Sequence, residues 1–351
     1  MSIRRRVSHE STMKNRLLGD SLEIFSTSPQ SRNMARKDYL EGVGEVARWS
    51  EQFGYKGILV YTDNNIVDPW LVSQIIIEHT TTLCPLVAVQ PAYMHPYTVA
   101  KMVSSLGYLH GRRVYLNMRA GGFKNDLAAL DDTTPHDDRY VRTVEYTLII
   151  RQLLRGSGPV TFEGKYYRVK NLRMNPVLPP ELFPGVLISG SSAAGMQAAR
   201  AIDATAVKYP KSADDEQGSD IDAGVPRGIR VGIIARDSEA EAWSVARRRF
   251  PEDRRGQITH QLAMKTSDSS WHGQLSGMAE GRRDLTYWLE PFRNYHTFCP
   301  YLVGTYERTA AELARYIRTG HRTIIMDIPP SREELEHTKI VFETAIRRAS
   351  E

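Results

Sequence analysis

The chain has 351 residues, 41% of them hydrophobic and two of them cysteines, and its 46 basic and 41 acidic residues leave a formal charge of +5. That length supports a large buried core, while the isolated Cys84 and Cys299 argue against a disulfide framework or a cysteine-rich metal site and suit a reducing cytoplasm. No run of about 18 apolar residues is present to span a membrane, and the mixed charges, without a basic stripe interleaved with aromatics, argue against nucleic acid as a partner.

Residues 1–20 carry Arg4, Arg5, Arg6, Lys14 and Arg16 but lack the apolar segment of about 7–15 residues that a signal peptide needs, so they read as a flexible basic arm. A short strand is expected at 22–26, then a helix over 38–53 stopped by Gly54, a strand at 57–62, a helix at 69–78, a strand at 83–90, a helix at 96–109, a strand at 113–120 and a helix at 136–155. The strands are apolar on both faces, as in parallel sheets covered by helices, and the period of roughly 30 residues fits right-handed βαβ units. A hairpin (159–161 with 166–169, turned at Glu163-Gly164) interrupts the series, which resumes with strands at 186–189, 205–209, 230–235 and 323–327.

Leaving the hairpin aside, the strands number eight, and alternation of this kind predicts an α/β fold, a (β/α)8 TIM barrel formed by residues 21–351 as one domain. Residues 237–322 are too long for one crossover, so an inserted excursion is expected between the seventh and eighth strands. Its polar stretch, 265–281, would serve as a lid or substrate wall at the mouth. The C-terminal strand ends, among them Asn117-Met118-Arg119, Ser189-Gly190 and Asp327-Ile328-Pro329, are more polar than the strands they finish, as an active-site face requires.

One of those ends suits an anion. Residues 185–195, GVLISGSSAAG, run from a buried-type strand through small residues into a helix. Gly190 admits close backbone approach, Ser191 and Ser192 offer hydroxyls, and the first turn of the helix offers free N–H groups at its positive end. The same pattern also occurs at ligand-free serine caps, and the local sequence leaves both readings open. No histidine or carboxylate spacing suited to a metal is present.

Several segments, in order, carry a family resemblance. They are Phe53-Gly54-Tyr55-Lys56-Gly57-Ile58-Leu59-Val60, Asp68-Pro69-Trp70-Leu71-Val72, Leu86-Val87-Ala88-Val89-Gln90-Pro91, Gly111-Arg112-Arg113-Val114-Tyr115-Leu116-Asn117, Arg139-Tyr140, Phe162-Glu163-Gly164-Lys165 and Ser189-Gly190-Ser191-Ser192. From about Leu22 to Ala345 the chain resembles the bacterial luciferase-like flavin monooxygenases, most closely the alkanesulfonate monooxygenase group. The resemblance implies a barrel enzyme that receives reduced FMN from a partner flavin reductase, activates O2 as a flavin peroxide and oxygenates a small organic substrate. It also implies a homodimer or homotetramer. Some relatives bind a deazaflavin for hydride transfer, and a catalytically silent flavin-binding barrel is the other alternative.

By the same resemblance the cofactor phosphate falls to Gly190, Ser191, Ser192 and Tyr140, and Asn117 lies near the flavin ring. His136 either joins the phosphate site or caps its helix. Relatives often have a non-proline cis peptide where Val89-Gln90 stands here. The departures bear on substrate. The alkanesulfonate enzymes pair an arginine with a histidine two residues on; Arg230 is kept, but the histidine position is Gly232, a cysteine position is Ile66 and a tyrosine position is Pro329. A sulfonate deprived of those donors would depend on Arg230, with Arg119 and Arg293 as substitutes, so a less anionic and bulkier substrate is expected, with Gly232 opening volume. Arg230 is expected to point into the mouth as the catalytic charge, or else to pair with Asp327 as a structural ion pair.

Overall fold

The computed structural model describes residues 22–32, 34–121, 124–190, 192–213, 224–266 and 286–351. The expected basic arm, Ser191 and most of the polar 265–281 stretch lie outside the described residues. None of the described helices is long and apolar enough to cross a membrane.

The chain alternates as its apolar periodicity demands: β1 (Glu23–Thr27), α1 (Arg36–Gln52), β2 (Gly57–Val60), α2 (Pro69–Glu78), β3 (Cys84–Val89), α3 (Pro96–His110) and β4 (Tyr115–Met118). Two helix starts follow from local chemistry. Asp68 accepts from the Trp70 amide at 2.9 Å ahead of Pro69, and His95 accepts from the Tyr97 amide at 3.1 Å ahead of Pro96. In each, proline occupies the first helical position, where its missing N–H goes unneeded. The short α4 (Lys124–Ala128) and long α5 (His136–Arg155) follow, then the antiparallel hairpin β5 (Val160–Glu163) and β6 (Arg168–Leu172). The Glu145 carboxylate holds the hairpin turn to α5 by accepting from the amides of Lys165, Tyr166 and Tyr167. Next come β7 (Val186–Ser189), α6 (Ala193–Ala201), β8 (Thr205–Lys208) and β9 (Arg227–Arg236).

The last strand, β12 (His321–Met326), pairs in parallel with both β1 and β9, and β9 pairs with β8, so eight parallel strands close in the order β1-β2-β3-β4-β7-β8-β9-β12. This is the expected TIM barrel, plugged by Phe25, Leu59, Cys84, Leu86, Tyr115, Leu187, Val207 and Ile325. A plug of this kind leaves a packed core with chemistry confined to the rim.

Between β9 and β12 the fold contains an element absent from the strand expectations. β9 runs for ten residues; its lower part closes the barrel, and Gly232 to Arg236 pair instead with β11 (Tyr301–Thr305), also parallel. Around that side sheet lie α7 (Glu239–Arg249), α8 (Arg254–Thr266), β10 (Tyr287–Trp288), α9 (Glu290–Arg293) and α10 (Tyr306–Arg318), and the chain ends in α11 (Arg332–Ser350). The signal for β11 was present: an apolar Tyr-Leu-Val run followed by Thr305, which caps α10 by accepting from the Arg308 amide. Among the described residues the cis peptide bond is Asn175–Pro176; Val89–Gln90 is trans, so the feature expected from relatives is not carried here.

Candidate active site at the barrel mouth

Side chains alternate along a strand, so the residue two positions beyond each plug residue faces the same interior one layer nearer the mouth. That step turns Phe25 into Thr27, Leu59 into Tyr61, Tyr115 into Asn117, Leu187 into Ser189, Val207 into Tyr209 and Ile325 into Asp327. Gly228 faces Val207, and the step from Gly228 gives Arg230. An apolar floor therefore carries a polar ceiling. Asn117 and Ser189 are joined across β4 and β7, Ser189 Oγ donating to Asn117 Oδ1 at 3.0 Å.

Arg230 is only 6% exposed, and its partners are aromatic rings and one carboxylate. Its guanidinium carbon lies 4.8 Å from the centre of the Tyr61 ring and 5.8 Å from that of Tyr209, Nη2 is 3.7 Å from Asp327 Oδ1, and Nη1 donates weakly to the Tyr209 hydroxyl at 3.5 Å. Nε and Nη2 are buried without a hydrogen-bond acceptor. A buried guanidinium with open donors is costly unless an anion meets it. Asp327 does so only at long range through Oδ1, while its Oδ2 accepts from Tyr301 at 2.7 Å and Thr297 at 2.6 Å. Arg230 therefore sits in the mouth layer and stands 3.7 Å from Asp327.

The expectation for Gly232 is corrected. A Cβ built there would collide with the ring of Tyr301, from the neighbouring β11, so the missing side chain makes room for a tyrosine and not for substrate. Tyr301 is 1% exposed, and burial together with the Asp327 carboxylate holds its hydroxyl well above the ordinary tyrosine range, leaving it a neutral donor. Thr297 and Tyr301 were not expected as site residues; their part rests on the unforeseen β11. Replacing Gly232 with alanine is expected to destabilise the fold by about 1–3 kcal/mol through overpacking. Denaturant unfolding checks this, and a variant as stable as its parent would mean the Tyr301 ring can withdraw.

A second cluster forms at the end of β7. Ser192 is the N-cap of α6, its Oγ accepting from the Gly195 amide at 3.1 Å, and it is hydrogen-bonded to the Tyr140 hydroxyl, which burial keeps protonated. A Cβ at Gly190 would come within 2.5 Å of that hydroxyl, so only glycine lets backbone and phenol approach this closely. His136, at the start of α5, stands edge-on to the Tyr140 ring with centroids 5.3 Å apart, its Nδ1 2.7 Å from Asp137 Oδ1. Gly190, Ser192, Tyr140 and His136, drawn from two helices and a strand end, are brought together; Ser191 lies outside the described residues. A helix N-terminus with hydroxyls beside it is suited to phosphate.

A cavity of about 250 Å3 opens at the ends of β2 and β3, lined by Thr62, Asp63, Ile66, Trp70, Gln90 and Tyr93 with neighbouring residues. Ile66 lines this cavity. Arg119 is not in the lining but touches two residues that are, its amide bonded to the Val89 carbonyl at 2.8 Å and its Nη1 3.5 Å from the Thr62 carbonyl. Burial and the Asp126 carboxylate push the Tyr93 hydroxyl up to about 12, so it too is a neutral donor. Arg293 does not line this cavity; it pairs with Glu290 at 3.3 Å and its charge acts on His260. Pro329 is buried next to Ile328, whose carbonyl accepts from Arg249, and is likewise not part of the lining.

A closed eight-stranded barrel with a phosphate-type cradle and a polar mouth agrees with what the chain resembles among known proteins. The family model described as luciferase-like monooxygenase matches residues 22–323. The chain belongs to the luciferase-like monooxygenases. It is an oxidoreductase of the flavin-dependent monooxygenase class. A relative from Niallia circulans, 4-(gamma-L-glutamylamino)butanoyl-[BtrI acyl-carrier protein] monooxygenase BtrO, is 34% identical over 337 residues, spanning 92% of this chain and 97% of its own. Among solved structures, EDTA monooxygenase from Chelativorans sp. BNC1 superposes with a TM-score of 0.68 at 17% identity, covering 94% of this chain and 93% of its own. The oxygenating constituent of 3,6-diketocamphane monooxygenase from Pseudomonas putida, in complex with FMN, also gives 0.68, at 15% identity, covering 93% and 99%. At those identities the two structures speak to the fold.

Proposed function

We propose that this enzyme uses FMN, reduced by a partner reductase, to oxygenate an acyl chain presented as a thioester on a carrier protein. The observation that carries the cofactor assignment is the cradle at Gly190, where a side chain would strike Tyr140 and where the Ser192 hydroxyl and the α6 amides converge. Ser191, Ser192, Tyr140 and the backbone after Gly190 hold the phosphate, with His136 at its flank and Asn117 toward the flavin ring. FMN supplies the activation of O2. The protein supplies orientation, a mouth walled by Tyr61, Tyr209 and Trp70, and in Arg230 a fixed positive charge for negative charge that develops beside it.

The acyl substrate is supported by the identity shared with BtrO along almost the whole chain. The replacement at Ile66, which lines the mouth cavity, supports it too, since it withholds a polar group that a sulfonate would use. The test supplies reduced FMN, a reductase and O2 together with the pantetheine thioester of 4-(γ-L-glutamylamino)butanoate, and follows gain of one oxygen atom by mass. Oxygenation of the thioester without sulfite release from a linear alkanesulfonate is expected. Rapid sulfite release with the thioester untouched would overturn the reading.

A further inference from the structure

Helix α8 shows its two faces to different surroundings. One face is fixed inward: Gly256 lies against the Asn294 backbone, Gln257 donates to Asn294 Oδ1 at 2.9 Å, and the buried His260 stands edge-on to Phe292, with ring centres 4.7 Å apart. At about 100° per residue, Arg254, Arg255, Ile258 and Leu262 fall within one arc on the other side. Ile258 is 52% and Leu262 58% exposed, so this stripe is two large aliphatic side chains flanked by two exposed arginines. Arg247 and Arg248, exposed at the end of α7 a few residues earlier in the chain, add positive charge, Arg247 with its guanidinium 5.7 Å from the centre of the Trp243 ring, and among the described residues none of these four arginines forms an ion pair. A stripe of adjacent exposed aliphatics rimmed by unpaired cations is the composition of a contact surface.

Its location is at the rim. α8 rests on α9 and on Tyr295, whose ring centre is 6.3 Å from that of His260. On the other side Arg249, just before α8, reaches the Ile328 carbonyl beyond β12.

We infer that the exposed face of α8, with the end of α7, is the docking surface for an acidic helix of the carrier protein that presents the acyl thioester. The inference rests on the proposed carrier-linked substrate. A tethered substrate requires its carrier to sit on the rim of the mouth. Acidic side chains of such a helix meet Arg247, Arg248, Arg254 and Arg255, while its aliphatic residues cover Ile258 and Leu262. A second copy of this chain fits poorly, because a two-fold contact places the same arginines against one another. A nucleic acid leaves the two aliphatics without partners. Charge complementarity of this kind speeds encounter and makes binding fall with salt.

The test measures binding of a fluorescently labelled, negatively charged holo acyl carrier protein by anisotropy at low and high salt. Arg254→Glu combined with Arg255→Glu is expected to weaken binding at least tenfold at low salt and to flatten the salt dependence. Ile258→Ser with Leu262→Ser is expected to weaken it while keeping the salt slope. Both variants should unfold at the parent temperature and turn over the pantetheine thioester at the parent rate. Carrier binding that is absent in the parent, or unchanged in both variants, overturns the docking surface. Equal loss of pantetheine turnover also overturns it, since the face would then shape the site or be covered by the chain itself. Oxygenation of the pantetheine thioester reports on the substrate reading separately: its absence, with variant-sensitive carrier binding intact, sinks that reading and leaves the surface standing.

Discussion

Replacing Arg230 with methionine is expected to leave a folded barrel whose turnover falls about a hundredfold, roughly 2.7 kcal/mol in the barrier, the size of losing one preorganised donor. Methionine fills most of the space between the Tyr61 and Tyr209 rings but carries no charge. The fold should tolerate the change because the Asp327 carboxylate keeps the Tyr301 and Thr297 hydroxyls, so removing a guanidinium 3.7 Å away does not strand it. An ion pair without such support would lose about 3–5 kcal/mol when broken. FMN affinity should be unchanged. Turnover of the acyl thioester, flavin binding and thermal unfolding are measured together. If the variant unfolds while activity per folded molecule persists, Arg230 is a structural member of the Asp327 network and its catalytic assignment fails.

What could be read from the sequence is what is local in the chain. The eight barrel strands are apolar on both faces, and helix starts such as Asp68-Pro69 and His95-Pro96 announce themselves within three residues, so the order and type of the barrel elements follow from short-range chemistry. The cradle is legible for the same reason, since strand end, glycine and serine cap are contiguous. Tyr140 enters it from another helix, and only the family resemblance could place it there. Alternation along β9 likewise puts Arg230 on the inward face.

Gly232 shows where such reading fails. A glycine in an apolar strand is consistent with an open pocket or with a close approach by another group, and the strand itself does not distinguish them. The decision belongs to Tyr301, far along the chain on a strand that meets β9 along its upper half. The same long-range pairing decides the surroundings of Asp327, because both of its hydroxyl donors come from the segment carrying β11. Pro329 stands at a family position and Arg293 is a substitute cation in the sequence reading, and the structure sets both outside the cavity lining. The polar layer at the mouth is thus legible where it rides on barrel strands and not where the segment between β9 and β12 completes it.

Replacing Ser192 with aspartate is expected to weaken FMN binding at least about tenfold, or ~1.4 kcal/mol. The substitution separates charge from structure. Aspartate is as good an N-cap as serine, so the bond from the Gly195 amide that starts α6 is retained. What changes is a carboxylate placed at the proposed phosphate site, and two like charges about 4 Å apart repel by ~4 kcal/mol at an effective dielectric of 20, enough to outweigh the attraction of one helix terminus. Ser192→Asn, a neutral cap of similar size, should keep most of the affinity, and the aspartate defect should shrink as salt screens the repulsion. Fluorescence titration of FMN against the three proteins, with thermal unfolding as the check on folding, decides the matter: a folded Ser192→Asp protein that binds FMN as tightly as its parent would place the phosphate elsewhere on the barrel rim.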